Sequence, residues 1–346
     1  MRVARFYAPE DVRLEESVEP SPAADEVKIR VRNCSTCGTD VKIFHNGHPN
    51  MTPPRVMGHE VAGEVVEVGQ DVDGWAPGDR VQVIAAVPDG TCEECRRGRM
   101  TVCTNQTSIG YQYDGGFAEY MIVPRTVLAV DGLNRIPEGV SFAEASVAEP
   151  FACVINGQEL AGVGDGDVVV VVGAGPIGCL HVRLARARGA RQVFLVDLNS
   201  GRLAMSAEAV HPDAAIDGGE VDTIDEVRKL TNGRGADVVI TAAASGKAQE
   251  DAQHMLARGG RLSMFGGLPK DRPTVTIDSN LVHYRELLIV GANGSSPTHN
   301  KQALAMIASG AVPVQDLITV RLPLQDVHKA IDTVARGEAI KVTIEP

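Results

Sequence analysis

An uninterrupted apolar run that leads into a glycine turn constrains the fold of this chain more than any other feature. Residues 168–178 read VVVVVGAGPIG, with glycines in the spacing G-x-G-x-x-G, and a helical stretch follows them. A second apolar run, 193–196, ends at Asp197. A buried strand, a glycine turn, a helix and a second strand ending in an acid compose a dinucleotide-binding βαβ unit. The sequence therefore predicts a doubly wound parallel sheet.

Each glycine of this turn has a separate expected task. Gly173 allows the tight turn, Gly175 lets the backbone approach a pyrophosphate, and Gly178 permits close packing of the helix, whose N-terminus favours negative charge. Asp197 is expected to accept hydrogen bonds from the adenosine ribose and to repel a 2′-phosphate, so NAD is predicted over NADP. The cofactor-binding residues predicted at this turn are Gly173, Gly175, Pro176, Ile177 and Gly178.

Two short segments of the N-terminal part carry the side chains of a metal site. Residues 37–40 read CGTD, and residues 58–60 read GHE. Cys37, His59 and Glu60 supply a thiolate, an imidazole and a carboxylate, the donors of a zinc ion that keeps one position open for substrate. Zinc at such a site lowers the pKa of an alcohol hydroxyl. Together with a nicotinamide cofactor, it indicates alcohol oxidation.

The ligand set is not closed by these three residues. Glu60 either ligates directly or holds a metal-bound water, and Glu149 is the best candidate for a further carboxylate. The dipeptide His59-Glu60 alone would suit an ordinary surface turn. The longer segment 58–69, GHEVAGEVVEVG, is far more restrictive because it specifies a strand with small residues at fixed places.

Length and composition bound the class of protein. The 346 residues exceed one usual core, and 44% apolar residues are enough to bury two. A net charge of −12 argues against nucleic-acid and anionic-membrane partners. Neither a signal-peptide core after Met1 nor an apolar stretch of about 20 residues is present. We expect a cytoplasmic protein.

The texture of the sequence changes near residue 150. Before it, short β-rich segments are punctuated by Pro and Gly, at 27–31, 61–68, 80–85 and 117–123. After it, predicted strands and helices alternate, at 168–172, 177–189, 192–197, 200–208, 237–241, 246–257 and 260–265. A polar loop, 293–299, then leads to a helix, a strand near 318–320, another helix and a last strand, 339–344.

With these motifs in place, the chain resembles the zinc-containing medium-chain dehydrogenases, and within them the sorbitol and threonine dehydrogenase branch. The resemblance runs from end to end. It implies a GroES-like β-barrel catalytic domain built from residues 1–152 and 291–346, and a Rossmann NAD-binding domain at 153–290. It also implies that Cys37, His59 and Glu149 bind the catalytic zinc, with Glu60 as a direct or water-mediated partner.

The resemblance assigns a proton path only in part. Thr39 matches the family hydroxyl that accepts the substrate proton, because a hydroxyl donates and accepts at once; a cap at the end of a strand is the simpler alternative. Relatives often carry His three residues later, and this chain has Lys42. Lys42, His45 or water remain alternatives for proton exit.

A second zinc is expected in the cysteine lobe of the family. Cys92, Cys95 and Cys103 match three of its four cysteines, and Asp89 stands at the fourth position. A carboxylate replaces a thiolate on zinc at a somewhat shorter distance. The alternative is a tight turn at 88–90 without metal. The number of cysteines, seven, is odd. Five of them lie in C-x-x-C-type clusters, namely Cys34, Cys37, Cys92, Cys95 and Cys103. This pattern favours metal binding over disulfides.

The remaining cysteines and cofactor contacts follow more simply. Cys34, Cys153 and Cys179 are expected to pack as small apolar residues. By resemblance, Arg202 lies near the adenosine ribose, although a solvated helix arginine is an equal reading of that position. The turns that align with the backbone beside the nicotinamide comprise Phe265, Gly266, Gly267, Ala292 and Asn293.

The sequence thus predicts an NAD- and zinc-dependent oxidoreductase acting on a secondary alcohol of a polyol-like substrate. Alternatives are a threonine or simple-alcohol dehydrogenase of the same family, or a noncatalytic NAD-binding protein. The tyrosines at 111 and 113 and the polar residues 293–300 favour a hydroxylated substrate. The apolar run 287–290 suggests an edge strand that pairs across a two-fold axis, in a homodimer or homotetramer.

Overall fold

The computed structural model describes residues 1–346, which divide into two compact units. The first unit comprises Met1–Ala152 and Gly294–Pro346, and the second comprises Cys153–Asn293. The later boundary therefore follows residue 293, where the sequence suggested 290. The reason is that Leu288–Gly291 forms a strand of the sheet in the second unit.

The elements are numbered here in chain order. The strands are β1 (Arg2–Ala8), β2 (Asp11–Glu16), β3 (Val27–Ser35), β4 (Arg55–Val56), β5 (Glu60–Val68), β6 (Arg80–Val83), β7 (Ala86–Val87), β8 (Thr107–Ser108), β9 (Tyr120–Val123), β10 (Leu133–Arg135), β11 (Val168–Val172), β12 (Gln192–Asp197), β13 (Ala214–Asp217), β14 (Ala236–Thr241), β15 (Leu256–Met264), β16 (Leu288–Gly291), β17 (Ile318–Pro323) and β18 (Lys341–Glu345). The α-helices are α1 (Gly38–Asn46), α2 (Glu93–Arg96), α3 (Arg125–Ala129), α4 (Phe142–Ser146), α5 (Ala148–Leu160), α6 (Pro176–Ala187), α7 (Ser200–Val210), α8 (Thr223–Leu230), α9 (Gly246–Met255), α10 (Ser279–Arg285), α11 (Pro297–Ala308) and α12 (Val327–Arg336).

The first unit is a GroES-like β-domain. Its larger sheet has the order β10-β6-β5-β3-β18-β17, with β9 also pairing β3, and a smaller sheet has the order β2-β1-β4. The long strands β3 and β5 alternate inward apolar residues, so Ile29, Val31, Val61 and Val65 lie in one core. The C-terminal strand β18 pairs with β3 and thereby brings the end of the chain beside its N-terminal part.

The second unit is a Rossmann domain with a six-stranded parallel sheet. The strand order is β13-β12-β11-β14-β15-β16. All five valines of β11 are buried because this strand lies inside the sheet, between β12 and β14. The direction of winding reverses at β11, the place where sheets of this kind bind dinucleotides at the carboxyl ends of their strands.

Several predicted elements differ in their limits. The strand predicted over 117–123 begins only at Tyr120, because the amides of residues 115–117 bond to carbonyls of Val56, Gly58 and Met57 instead. The helix predicted over 246–257 ends at Met255, and β15 begins at the next residue.

Two further differences concern residues that the sequence assigned to loops or left unassigned. Helix α11 begins at Pro297, inside the segment predicted as a loop, because Ser296 caps it with its hydroxyl on the His299 amide. Strands β1 and β2 were not predicted.

None of the helices combines the length and apolar character that crossing a bilayer requires.

Candidate active site and metal centres

Cys37 lies at a strand-to-helix turn that fixes its position. Strand β3 ends at Ser35, and α1 begins at Gly38 with Cys37 as its N-cap residue. The Asp40 carboxylate accepts a hydrogen bond from the Cys37 amide at 2.8 Å, and the Asp40 amide donates to the Cys37 carbonyl at 3.0 Å. This reciprocal pairing holds the thiol at the start of the helix.

His59 and Glu60 are placed beside Cys37 by the start of β5. Glu60 pairs with Ser35 in the sheet register, two residues before Cys37. Gly58 has a positive φ of 89°, and a Cβ there would lie 2.6 Å from the Phe117 ring. Only glycine fits this turn, which explains its place before the histidine.

The three predicted donors form one group. The ligand atoms of Cys37, His59 and Glu60 all lie within 4.8 Å of one another. Glu60 Oε1 and Asp40 Oδ1 are buried and have no hydrogen-bond donor within the chain. Buried carboxylate oxygens without a donor are costly, and a bound cation removes that cost for a ligand such as Glu60. The donor set and its burial fit zinc.

The electrostatics of His59 support the same fit. Burial alone would lower the pKa of His59, but the Asp40 and Cys37 groups raise that pKa well above its usual value. His59 Nδ1 lies 3.6 Å from Asp40 Oδ1. A site that attracts a proton so strongly also attracts a metal ion, which binds by displacing the proton. Asp40, which the sequence analysis did not single out, thus lies beside the imidazole and acts on its charge.

Lys341 is a further residue of the site that sequence reasoning missed. Its Nζ lies 2.5 Å from Glu60 Oε2 and donates to the Thr36 carbonyl at 2.8 Å. Both side chains of the pair are almost fully buried. Burial raises the pKa of Glu60, the charge of Lys341 opposes that rise, and Glu149 adds to it. A lysine in the apolar terminal strand was the only signal in the sequence.

Glu149 is buried near this group but lies outside it. The cluster whose ligand atoms approach within 4.8 Å comprises Cys37, His59 and Glu60. Glu149 stands in the first turn of α5. Its charge raises the pKa values of Glu60 and Tyr111, which places it in their neighbourhood. In the structure, Glu60 therefore lies closer than Glu149 to the ligand atoms of Cys37 and His59.

The three residues considered for proton transfer, Thr39, Lys42 and His45, all lie on helix α1. Thr39 is half-buried, in the first turn of the helix rather than at the end of a strand, and its hydroxyl has no hydrogen-bond partner in the chain. Lys42 is exposed. His45 Nδ1 lies 2.5 Å from Glu10 Oε1, which holds that ring at the surface.

Tyr111, which the sequence analysis noted only as favouring a hydroxylated substrate, lies between His59 and a second ring, His48, that it did not single out. The ring of Tyr111 stacks near His59, with centroids 6.3 Å apart and planes at 21°. The ring of His48 contacts the same tyrosine at 4.4 Å. Burial raises the pKa of Tyr111 to about 12, and the acidic neighbours Asp40, Cys37 and Glu149 add to this rise. The phenol therefore stays protonated at neutral pH.

The predicted second metal site is also assembled. Ligand atoms of Asp89, Cys92, Cys95 and Cys103 all lie within 4.8 Å of one another. A hydrogen bond from the Cys95 amide lowers the pKa of Cys92 to about 7, so a thiolate is accessible at neutral pH. Asp89 accepts hydrogen bonds from the Thr91 and Cys92 amides, which hold its pKa below the usual range.

The glycine turn of the second unit fits a pyrophosphate. Gly173 has a φ of 115°, and a Cβ at Gly178 would lie 1.8 Å from the Gly173 carbonyl oxygen, so both positions require glycine. A Cβ at Gly175, in contrast, would meet nothing within 4 Å. Gly175 is the N-cap of α6, with Pro176 at the first helical position. Open space at a helix N-terminus is where an anionic group binds.

Asp197 is in place but is not free. Its carboxylate accepts the Ala174 amide at 2.7 Å and the Asn199 amide at 2.8 Å. Arg202 adds two bonds, from Nε at 3.1 Å and from Nη2 at 2.8 Å. Neither sequence interpretation of Arg202 anticipated this bidentate pair. Burial raises the pKa of Asp197, but the hydrogen bonds from Arg202 and the two amides lower it by more. The pKa of Asp197 therefore lies below its usual value.

The predicted nicotinamide turns lie at the carboxyl ends of β15 and β16. Gly266 donates to the Thr241 carbonyl at 2.7 Å, and a Cβ there would lie 2.6 Å from the Ala243 oxygen. Phe265 and Ala292 both approach Gly157 of α5, since a Cβ at Gly157 would lie 2.7 Å from Phe265 and 3.6 Å from Ala292. The Asn293 carbonyl accepts a bond from Asn156. Gly267 borders open space.

Comparison with known proteins agrees with this geometry. Residues 23–131 match the alcohol dehydrogenase GroES-like domain, and residues 176–309 match the zinc-binding dehydrogenase domain. A sorbitol dehydrogenase of Halalkalibacterium halodurans is 32% identical, over 96% of this chain and 95% of that protein. An L-threonine 3-dehydrogenase of Pyrococcus horikoshii is 34% identical, over 93% of this chain and 92% of its own length.

The structural comparison extends over the whole chain. A zinc-binding dehydrogenase from Sinorhizobium meliloti, solved bound to NADP, has a TM-score of 0.92 at 30% identity and covers 100% of this chain and 99% of its own. The fold and the two donor clusters define a zinc-binding dehydrogenase with a nicotinamide cofactor. The chain belongs to the zinc-dependent medium-chain dehydrogenase family, and the resemblance inferred from its motifs is confirmed.

Proposed function

We propose that this protein transfers a hydride between a secondary alcohol of a polyol-like substrate and NAD. The observation that carries the proposal is the group formed by Cys37, His59 and Glu60, whose ligand atoms lie within 4.8 Å of one another. A reactive metal site of this kind separates the chain from family members that bind a dinucleotide without zinc chemistry.

The group formed by Cys37, His59 and Glu60 would hold one zinc. Cys37 and His59 are the ligands, with Glu60 or Glu149 as the carboxylate. When bound, zinc supplies the Lewis acidity that lowers the pKa of an alcohol hydroxyl. Asp40 lies beside His59, and Lys341 holds Glu60 within a water-poor environment. The Asp89, Cys92, Cys95 and Cys103 lobe holds a second zinc with a purely structural role.

Thr39 is the residue that we assign to the substrate proton. A threonine hydroxyl accepts one proton while it donates its own. The Thr39 hydroxyl has no partner in the chain, and it lies two residues from Cys37 in the same turn of α1. Beyond Thr39 the proton leaves through water, because Lys42 is exposed and His45 is held by Glu10.

NAD, rather than NADP, is the proposed cofactor. When bound, NAD accepts the hydride of the alcohol. The Asp197 carboxylate at the end of β12 presents negative charge where the adenosine ribose of a Rossmann domain lies, and this charge disfavours a 2′-phosphate. Arg202 is engaged with Asp197, so its guanidinium is not offered to that phosphate.

A neutral polyol suits the site better than an amino acid, although relatives include threonine dehydrogenases. Threonine brings a carboxylate as well as an ammonium group, and the carboxylate requires a cation as its partner. Lys341 is already engaged with Glu60 and the Thr36 carbonyl, whereas Asp40 and Glu149 add negative charge. A substrate that offers only hydroxyl groups avoids this repulsion. Threonine therefore serves as the competing substrate in the test.

The direct test measures NAD reduction by a panel of polyols, simple secondary alcohols and threonine, with zinc content determined on the same preparation. We expect turnover with polyols and its loss, together with one zinc, in Cys37→Ser. Cys153→Ser is the matched control because Cys153 belongs to neither donor cluster. Zinc-loaded protein that oxidises none of these alcohols would favour a noncatalytic NAD-binding protein instead.

Assembly and location form a separate part of the proposal. We infer a homodimer or homotetramer that pairs through β16, an edge strand on which Leu288 is 52% exposed. Sedimentation at micromolar concentration checks this, and a monomer alone contradicts it. None of the seven cysteines forms a disulfide, which supports a reducing, cytoplasmic location.

A further inference from the structure

Tyr111 is held beside the metal ligands by a rigid loop. Gly116 donates to the Gly58 carbonyl at 2.8 Å, and a Cβ at Gly110 would already lie 3.4 Å from the same oxygen. Gly58 directly precedes His59. The loop that carries Tyr111 is therefore fastened to the backbone that places the histidine, and the tyrosine keeps a fixed position relative to it.

The hydroxyl of Tyr111 has no partner in the chain, unlike that of the other partly buried tyrosines. Tyr7 donates to Glu15 at 2.8 Å, Tyr113 accepts from Thr126 at 3.0 Å, and Tyr120 accepts from Arg30 at 2.6 Å. The ring of Tyr111 packs against the protein core, as does that of Tyr113. A partly buried phenol without a partner is a donor reserved for a ligand or water.

The surroundings of this hydroxyl select the chemistry of its ligand. Asp40, Cys37 and Glu149 lie close enough for their charges to act on the phenol. The cation of Lys341 is already paired with Glu60 and is not available to a substrate anion. A substrate carboxylate is repelled there, whereas a neutral hydroxyl accepts a hydrogen bond from the phenol without an electrostatic cost.

We propose that the Tyr111 hydroxyl hydrogen-bonds a second hydroxyl of the substrate, next to the carbon that is oxidised. This inference rests on the proposed function and narrows it, because it makes vicinal diols and longer polyols the substrate class and leaves mono-alcohols as poor substrates. The ring of His48 packs against the tyrosine ring, with the two centroids 4.4 Å apart.

The test compares wild type with Tyr111→Phe on vicinal butanediol and sec-butanol, which share a carbon skeleton. Loss of one hydrogen bond, about 1 to 1.5 kcal/mol, corresponds to a roughly tenfold fall in kcat/KM. We expect that fall for the diol, mainly through KM, and no change for the mono-alcohol. Tyr7→Phe is the matched control, since the Tyr7 hydroxyl bonds Glu15, and it should leave both values unchanged.

The outcomes separate this inference from the proposed function. An unchanged ratio of diol to mono-alcohol kcat/KM in Tyr111→Phe overturns the role of the hydroxyl while polyol oxidation stands. If wild type oxidises no alcohol, the proposed function is wrong. Calorimetric binding of the diol to zinc-loaded protein then decides the inference, and equal affinity of wild type and Tyr111→Phe would refute it.

Discussion

Glu60 and Lys341 form a buried ion pair, with Glu60 Oε2 and Lys341 Nζ 2.5 Å apart. Glu60 opens strand β5, and Lys341 opens the C-terminal strand β18. Each strand pairs with β3, which carries Cys34 and Ser35 just before Cys37. The end of the chain thus supplies a positive charge that opposes the rise which burial causes in the pKa of a candidate metal ligand.

Replacement of Lys341 should destabilise the protein strongly. Lys341→Met leaves the Glu60 carboxylate buried without its cation, and the free energy of unfolding should fall by about 3 kcal/mol. Lys329→Met, on the exposed face of α12, serves as control and should change it by less than about 0.5 kcal/mol. Denaturant unfolding of the zinc-loaded proteins measures both. In the double variant Glu60→Gln with Lys341→Met, much of the lost free energy of unfolding should be recovered. A loss in the double variant equal to the sum of the losses in the two single variants would show that the pair is not coupled.

Removal of a thiol from the cysteine lobe should cost one zinc and stability rather than chemistry. Two donor clusters predict two zinc ions per chain, and Cys103→Ser should retain one. The melting temperature should fall by several degrees, because ligand binding to the folded state stabilises it. Elemental analysis and thermal unfolding provide the readouts, with kcat per remaining folded molecule largely preserved. Wild-type material with a single zinc would restrict metal binding to one cluster.

Asp197 should determine the choice between the two nicotinamide cofactors. Asp197→Ala removes the negative charge and releases the Arg202 guanidinium, which is then free to bind a 2′-phosphate. The ratio of kcat/KM for NAD to that for NADP should fall by about tenfold to a hundredfold. Arg202→Ala is the paired variant, and it should weaken NAD binding without any gain for NADP. A preference for NADP in the wild type would contradict the assigned role of Asp197.

His181 should make the protein sensitive to acid. Burial lowers the pKa of His181 to about 3, and the charge of Arg188 adds to this. Its Nε2 has no hydrogen-bond partner, and its ring packs edge-on against Phe265 at 4.7 Å. Between pH 6.5 and about 3, the unfolded chain therefore binds a proton that the folded chain refuses. Above the unfolded pKa the buried neutral ring carries no penalty. As the pH falls below that pKa, the free energy of unfolding decreases by at most about 1.4 kcal/mol per pH unit.

The measurement compares the pH dependence of unfolding in wild type and His181→Leu. The variant should lose stability less steeply than wild type as the pH falls from 7 to 5, whatever its stability at pH 7. His211→Asn is the control, since His211 is exposed and has the positive φ that asparagine tolerates. Parallel profiles for wild type and His181→Leu would mean that another group causes the acid sensitivity.

Local sequence was sufficient for the parts of the fold and site that depend on adjacent residues. The run of valines before Gly173 specified the central strand β11 and its turn, because a fully apolar strand must be buried on both faces. The pairing of Cys37 with His59 and Glu60 was inferred from short motifs and a family resemblance, and the structure brings the three together. Element limits such as the start of β9 were less accurate, since backbone bonds to residues 56–58 replaced a strand there.

What the sequence by itself determined is the chemistry available: a glycine turn with an acid beyond it, one Cys-His-Glu donor set, and a lobe of three cysteines and an aspartate. Only the tertiary structure decided which distant side chains lie beside those groups. Lys341 reaches Glu60, and Tyr111 reaches the neighbourhood of His59, because sheet pairing and loop hydrogen bonds join segments that are distant in the chain. Motifs register residue types at fixed spacing, whereas charge compensation and a free donor depend on which distant side chains share the same low-dielectric space.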